Sequence, residues 1–374
     1  MGYCINEFVR IRPRHEIDQK QLLEWIAKLH AVAAQTAQLQ QYACVEEKLL
    51  QVGYGSDKIL SRGVQISDPY EPDFEKMQIY PVARQSEGVG FTERMHFFDR
   101  EVSAIFEEFY PLEATLPQHL IHVTCTGYVA PSPAQKIVSK RNAQNSFVTH
   151  AYHMGCYASI PAIRMAVGSL AMPSPDSSVD IVHTEVCSLH MHPLRNSTEQ
   201  LVVQSLFADG FIKYSVHKDL QSSSLRVCSL LQEIIPDSVE MMSWRCEDIC
   251  HAMTLSKKVP VLIARALKDY FLRLVQKMQG DKEQIQRRAF FAIHPGGSKI
   301  LEHVKQLFSL SDEQMAHTLD ILRKFGNMSS ATLPHIWQSM LEDESVPDGA
   351  FIVSLAFGPG LSITGGIFEK IGDS

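Results

Sequence analysis

Apolar residues early in the chain recur at helical spacing. Across residues 20–50, Leu22, Ile26, Leu29 and Val32 stand three or four positions apart, and residues 91–110 repeat the pattern with Phe97, Val102, Ile105 and Phe106. That spacing lays an apolar stripe along one face of a helix. The pattern then changes. The run "LIHVTCTGY" at 120–128 is short, apolar and halted by a glycine, which predicts a strand entering a turn. Residues 147–168 pass from a short apolar stretch through "GCYAS" into a helix. A Pro/Ser-rich loop at 172–178 then precedes another strand, "VDIVHTEVCSLHM".

The polar stretch "KDLQSSS" at 218–224 predicts a joint, and the order starts again beyond it. A strand at 225–235 leads to a long helix at 261–279, the strand "AFFAIHPGG" and helices at 298–310 and 315–325. A last pair of strands surrounds "GAFIVSLAFGPGLSITGG". Alternating helices and strands define an α/β class with helices layered on sheets. Element order alone, without a detectable sequence repeat, predicts two similar halves, 1–220 and 221–374.

Composition narrows the possible functions. With 374 residues, 45% hydrophobic and 21% charged, the chain can bury a sizeable core as one large or two fused domains. A formal net charge of −7 with no Lys/Arg-rich block argues against a nucleic-acid partner. The start, "MGYCINEFVRIRPRHE", has no apolar signal core, and no stretch approaches the length of a membrane span. A cytoplasmic protein with no membrane partner is therefore expected. Eight cysteines over so long a chain do not form a disulfide framework, so most should be free thiols. Cys246 and Cys250 would share a face if their segment were helical, and His190 and His192 would share a strand face. Neither pair has the spaced second pair of a zinc motif, so no metal site is expected.

Three separated residues carry candidate chemistry. Cys156 follows a glycine where a strand hands over to a helix. The unpaired N–H groups at a helix start stabilise a thiolate there, and the glycine lets the backbone expose the sulfur. Taken alone, such a cysteine is more often a core residue. His294 ends an apolar strand before Pro-Gly-Gly, and Asn327 follows a glycine between two helices. A cysteine nucleophile needs a base to hold it as thiolate, and carbonyl chemistry needs N–H donors where charge develops. Cys, His and Asn supply both. The same trio occurs in papain-like proteases, but there the cysteine lies near the mature N-terminus in a different local sequence. "GGSKI" lacks the upstream glycine of a phosphate loop, and "GVGFTE" lacks the third glycine of a dinucleotide fingerprint.

The motifs "GCYAS", "SLFADG", "IHPGG", "FGNMSSAT" and "FGPGL" occur in the order found in type III polyketide synthases. From Tyr3 to Glu369 the chain resembles this chalcone synthase-like branch of the thiolase superfamily. "EVCSLHM" and "MTLSKKVP" are closer to its bacterial members. The resemblance implies a thiolase-like fold, two similar αβαβα halves forming a layered α/β/α/β/α core. It also implies that Cys156 takes the acyl group while His294 and Asn327 activate it and polarise the thioester.

By the same resemblance Phe207 is a gatekeeper between cavity and entry tunnel, and Met253 stands where plant enzymes carry a second such phenylalanine. Thr126, His190 and Ser329 shape the cavity, and Lys58 and Arg62 hold coenzyme A phosphates near the tunnel mouth. One departure is Ala356, where the family's loop begins with glycine; its methyl is expected to narrow the loop's approach. The implied activity is acyl-cysteine formation followed by decarboxylative Claisen condensation with a malonyl thioester, and cyclisation to a pyrone or resorcinol-type ring. No cofactor is implied beyond the substrates, acyl-coenzyme A and malonyl-coenzyme A, with an acyl carrier protein as an alternative donor and a homodimer as the assembly. Two alternatives use the same motifs: a stand-alone ketosynthase joining two β-ketoacyl chains into an α-pyrone, and an inactive partner subunit, against which the presence of Cys156 argues.

Overall fold

A computed structural model describes residues 2–39, 45–172 and 178–372. Its strands are β1 (Cys4–Ile11), β2 (His15–Asp18), β3 (Ser61–Val64), β4 (His119–Thr124), β5 (Phe147–Tyr152), β6 (Ser178–Glu185) and β7 (Gly210–His217). They continue with β8 (Ser224–Ile234), β9 (Met242–Cys246), β10 (His251–Leu255), β11 (Phe290–Ile293), β12 (Phe351–Gly358) and β13 (Ser362–Ile371). Nine share one sheet in the order β11-β12-β13-β8-β1-β7-β6-β4-β5.

The first half of the chain supplies β5, β4, β6, β7 and β1, and the second supplies β8, β13, β12 and β11. They meet in two residue pairs, Cys4 with Arg226 and Ile5 with Leu225. The expected joint at 218–224 is the connection from β7 to β8. Strands β4, β5 and β6 run parallel, and helices Pro133–Lys140 and Ser159–Leu170 make the crossovers between them, as parallel pairing requires.

Two helices fill the space between the halves. Helix Ser159–Leu170, "SIPAIRMAVGSL", is largely apolar and buries most of its length, with Arg164 and Gly168 as its exposed positions. It touches β4, β6 and β7 on one side and β8 and β13 on the other. Helix Thr332–Glu342 is likewise buried and packs on β1, β7 and β11. Amphipathic helices cover the outside: Gln19–Thr36 and Phe91–Phe109 over the first half, Val259–Gln276 and Ser298–Phe308 over the second. The α/β/α/β/α layering is thus present. Its starts are set locally: Asp18 caps the N-terminus of Gln19–Thr36, and Ser132 with Gln135 and Ser311 with Gln314 form capping boxes.

Several expectations need correction. The helical pattern at 20–50 divides into Gln19–Thr36 and Val45–Val52, while residues 40–44, and most of the loop at 172–178, lie outside the described residues. His190 and His192 do not share a strand, because β6 ends at Glu185 and His190 closes the short 3-10 turn Cys187–His190. Cys246 and Cys250 do not share a helix. Cys246 ends β9 and pairs across a hairpin with His251, the first residue of β10, while Cys250 is buried in the turn between them. That hairpin had no visible pattern, because its five-residue strands are too short to show alternation.

Trp337 knits the layers together. It is fully buried, donates from Nε1 to Ser354 Oγ of β12 at 2.7 Å, and packs edge-on to Tyr214 of β7 and against Phe368 of β13. Trp337→Ala should cost about 3–5 kcal/mol through the cavity it leaves. Trp337→Phe should cost less, since it keeps most of the ring volume and loses the hydrogen bond; urea unfolding of the three proteins would check the order.

Candidate active site

β5 ends at Tyr152 and the central helix starts at Ser159. Between them Gly155 adopts φ +79°, and a Cβ there would approach the Pro359 ring to 3.2 Å. The glycine is needed on both counts, and it turns Cys156 onto a cavity wall. The Cys156 sulfur lies 3.7 Å from Ser329 Oγ and within reach of the Asn327 amide. Ser329 in turn sits 3.1 Å from a second thiol, Cys125 Sγ.

Asn327 is held by its backbone before its side chain is considered. Its N–H donates to Leu206 O at 3.0 Å and its carbonyl accepts from Ala208 N at 2.9 Å, a bridge that fixes Asn327 beside Phe207. Its Oδ1 accepts from Ser329 N at 2.8 Å, and its Nδ2 donates to Pro295 O at 3.4 Å. Pro295 follows His294, so the asparagine and histidine loops touch. His294 is fully buried, with its N–H on Leu355 O at 2.8 Å and neither ring nitrogen hydrogen-bonded. A buried imidazole with both nitrogens unpaired is costly unless a partner arrives.

Burial dominates the electrostatics. It pushes the Cys156 thiol up to about 12, against the lowering hydrogen bond from Ser329, and lowers the His294 imidazole to about 3. The resting pair is therefore neutral thiol and neutral imidazole. Behind them Glu185 is fully buried and accepts from Cys125 N at 3.0 Å, Thr126 Oγ1 at 2.9 Å and Ser330 Oγ. Burial raises its carboxyl above the usual range despite those donors.

The cavity in front of Cys156 has a volume of about 70 Å³ and a mostly apolar lining. Phe207, Met253, His190 and Ser329 line it, as expected; so do Cys125, Met242 and Trp244. Trp244 is locked by donating Nε1 to Cys125 O at 2.6 Å. His190 donates from Nε2 to Thr126 O at 2.7 Å and accepts His251 N on Nδ1 at 3.0 Å. Thr126 stands behind the wall, bridging Glu185 and Val186 N, and it is its neighbour Cys125 that faces the space.

The two basic residues separate. Lys58 lies over the Tyr54 ring at 5.5 Å in a surface cleft shared with Ser298, Lys305 and Arg323. Arg62 borders the cavity from within: it is 2% exposed, and its guanidinium donates to Gln19 Oε1, Gln204 O and Phe207 O at 2.7–2.8 Å. It braces the Phe207 segment. Ala356 also differs from expectation, since its methyl is buried within β12. The close approach falls instead at Gly358, where a Cβ would lie 2.3 Å from Tyr157 Cδ1.

Layer order and site together define a protein of the thiolase-like kind, with cysteine, histidine and asparagine drawn from both halves. Residues 226–372 match the family described as chalcone and stilbene synthases, C-terminal domain. "Alpha-pyrone synthesis polyketide synthase-like Pks18" of Mycobacterium tuberculosis is 25% identical over 96% of this chain and 89% of that protein. "Probable polyketide synthase 1" of Dictyostelium discoideum is 28% identical over 68% of this chain. The chain spans only 8% of that protein's length and 9% of a second Dictyostelium relative, "Polyketide synthase 37".

Among solved structures, the C-terminal type III polyketide synthase domain of Steely1, a type I/III hybrid from Dictyostelium, superposes with a TM-score of 0.83 at 23% identity. The match covers 99% of this chain and 100% of that one. PKS-I of the brown alga Ectocarpus siliculosus gives 0.81 at 19% identity, over 99% and 97%. Residues 226–372 are thus similar to a chalcone and stilbene synthase C-terminal domain, and the fold of the chain is that of the type III polyketide synthase structures it superposes on.

The buried histidines make stability depend on pH. Burial lowers His183, His251 and His294 to about 3, His335 to about 4, and His122 well below its usual value. In the unfolded chain each titrates near 6.5, so below that pH the unfolded state binds protons the native state refuses. Stability present at neutral pH is then lost as pH falls from about 6.5 towards 4. Asp209, raised to about 6, and Glu185, also raised, act in the opposite sense and gain on acidification. Buried imidazoles with lowered values, His190 and His192 among them, outnumber the buried carboxyls with raised ones, and a net loss of stability on acidification results. Urea midpoints at pH 7.5, 6.5 and 5.5 should fall in that order; a midpoint that rises on acidification would show the carboxyls in control.

Proposed function

We propose that the protein is a condensing acyltransferase that loads an acyl group on Cys156 and extends it with a decarboxylated malonyl unit. The observation that carries this reading is the meeting of Cys156 and Ser329 at an apolar cavity, with the Asn327 amide in reach of the sulfur and the unpaired His294 ring in the loop touching Asn327. In the first half-reaction the Cys156 proton passes to His294 and the thiolate attacks the acyl thioester carbon. Asn327 Nδ2–H and the protonated His294 stabilise the oxyanion. The leaving thiol then takes the proton from His294. In the second, a malonyl thioester releases carbon dioxide, the electrons of the broken C–C bond form an enolate on the same donors, and its carbon attacks the acyl-cysteine. Cys156 leaves as thiolate, and the product is a β-ketoacyl thioester.

Decarboxylation generates the carbanion, so the chemistry calls for no cofactor. Lys58, beside Lys305 and Arg323, suits the phosphates of a coenzyme A ester, whereas the burial of Arg62 assigns it to positioning Phe207. A pyrone product is favoured by the pyrone-forming mycobacterial relative. Delivery by a carrier protein is the second reading, favoured by the likeness to a domain of a type I/III hybrid. A homodimer, a cytoplasmic location and the division into halves 1–220 and 221–374 complete the proposal. The division is supported by the two-pair seam between β1 and β8. Among the described residues no helix is long and apolar enough to cross a membrane.

Intact-protein mass spectrometry after incubation with acyl-coenzyme A esters should show one covalent acyl increment that Cys156→Ala abolishes. Loading from acyl carrier proteins alone would select the second reading, and loading from neither donor would remove the synthase activity. A cavity of about 70 Å³ is small beside the roughly 300–1,000 Å³ of ordinary ligand sites, and Trp244, with Trp25, is among the bulkiest residues of its wall. Trp244→Ala should shift the preferred starter or product towards longer chains, read by liquid chromatography and mass spectrometry of the products.

A further inference from the structure

Beside the cavity, and outside the chemistry above, three potential metal ligands meet. His153 lies between β5 and Gly155, Cys246 ends β9 and His251 opens β10. One ligand atom from each lies within 4.8 Å of the other two. Both ring nitrogens of His251, which is 1% exposed, and Nε2 of His153 are buried with no hydrogen-bond partner. We propose that His153, His251 and Cys246 form a binding site for a divalent transition metal, with Zn²⁺ the best fit, that ties the β9–β10 hairpin to the segment leading into Cys156.

The donor set suits the ion. Two imidazole nitrogens and one thiolate are borderline-soft ligands of the kind Zn²⁺ takes, and three protein ligands leave its fourth tetrahedral position open. Ligand atoms at about 2.0–2.3 Å from a tetrahedral ion stand roughly 3.3–3.8 Å apart, so the trio needs only a modest closure. His190 does not join it: both its nitrogens are committed, to Thr126 O and to His251 N. That backbone contact fixes the start of β10 without using the His251 ring.

The rings of Phe91, Trp244 and His190 surround His251, and Tyr128 packs on His153, which restricts both imidazoles. His153 also holds φ +57°, a conformation uncommon outside glycine but more accessible to histidine than to most residues. Cys246 is exposed, so an ion has a path in, and on binding the thiol proton passes to solvent. Burial keeps both imidazoles neutral at physiological pH, as ligation requires.

The consequence concerns the cavity wall. Met242, Trp244 and Met253 all ride on this hairpin, and all three line the cavity. A bound ion would pin them against the catalytic segment three residues before the nucleophile.

The test uses tag-free protein stripped with a chelator and titrated with Co²⁺ alone. One equivalent should produce the thiolate-to-cobalt charge-transfer band and the intense visible bands of four-coordinate cobalt, displaced by Zn²⁺. Cys246→Ser should abolish the charge-transfer band, and His251→Gln should weaken binding by about 100-fold or more. Cys228→Ser, distant on β8, should leave the spectrum intact. Zn²⁺ should raise the thermal midpoint of the wild type but not of Cys246→Ser, whose fold is checked by circular dichroism; Cys246 is exposed, so that variant is expected to fold. Absence of a stoichiometric thiolate band, or a band that survives Cys246→Ser, would overturn the site. Neither outcome depends on acyl loading, so the metal and synthase readings fail separately.

Discussion

Desolvation is the constraint around which this molecule is organised. His294, Asn327 and Glu185 are fully buried where the two halves of the sheet and the two central helices close on one another, and Cys156 opens from that seam, half-buried, onto the cavity. In such surroundings an unpaired polar group is penalised and a paired one is strengthened. The neutral thiol and neutral imidazole of the resting site follow directly. So does the need for Ser329 and the Asn327 amide to aim at the sulfur, since no solvent is there to take their place.

The supporting structure is arranged to keep that seam rigid. Backbone bonds on both sides of Asn327 tie it to the Leu206–Ala208 segment, and the buried Arg62 guanidinium grips the carbonyls of Gln204 and Phe207 from behind. Trp244, anchored on the Cys125 carbonyl, closes the other side. The side chains that line the cavity are thus mounted on braced backbone. The small cavity reflects this: an apolar space filled by Met242, Met253, Phe207 and Trp244 opens by rotamer changes, for which methionine is well suited.

The long amphipathic helices and several apolar strands were legible in the chain because their signals are local. The helices at 91–110 and 298–310 and the strands at 120–128 and 225–235 belong to this class, whereas the eight-residue strands β1 and β7 and the capped helices Pro133–Lys140 and Thr198–Leu206 were not predicted. The nucleophile's setting was legible for the same reason, since Gly155 and the strand-to-helix passage adjoin Cys156. Glu185 was missed although an acid inside an apolar strand was a usable signal, because its four partners come from distant segments. The β9–β10 hairpin was missed because its strands are short and half exposed.

By itself, then, the sequence determined the α/β class, the order of the longer elements it predicted, the three chemically apt residues and, through the order of its motifs, a resemblance to chalcone synthase-like proteins. Each depends on neighbours in the chain or on residue type. Tertiary structure alone decided that Arg62 is a buried brace, that Cys125 and not Thr126 faces the cavity, and that Cys246 meets His153 and His251 in place of Cys250. These are contacts between residues tens to hundreds of positions apart. Their geometry is set by how two sheet halves and two buried helices pack, and packing is a property of the closed core that no local pattern encodes.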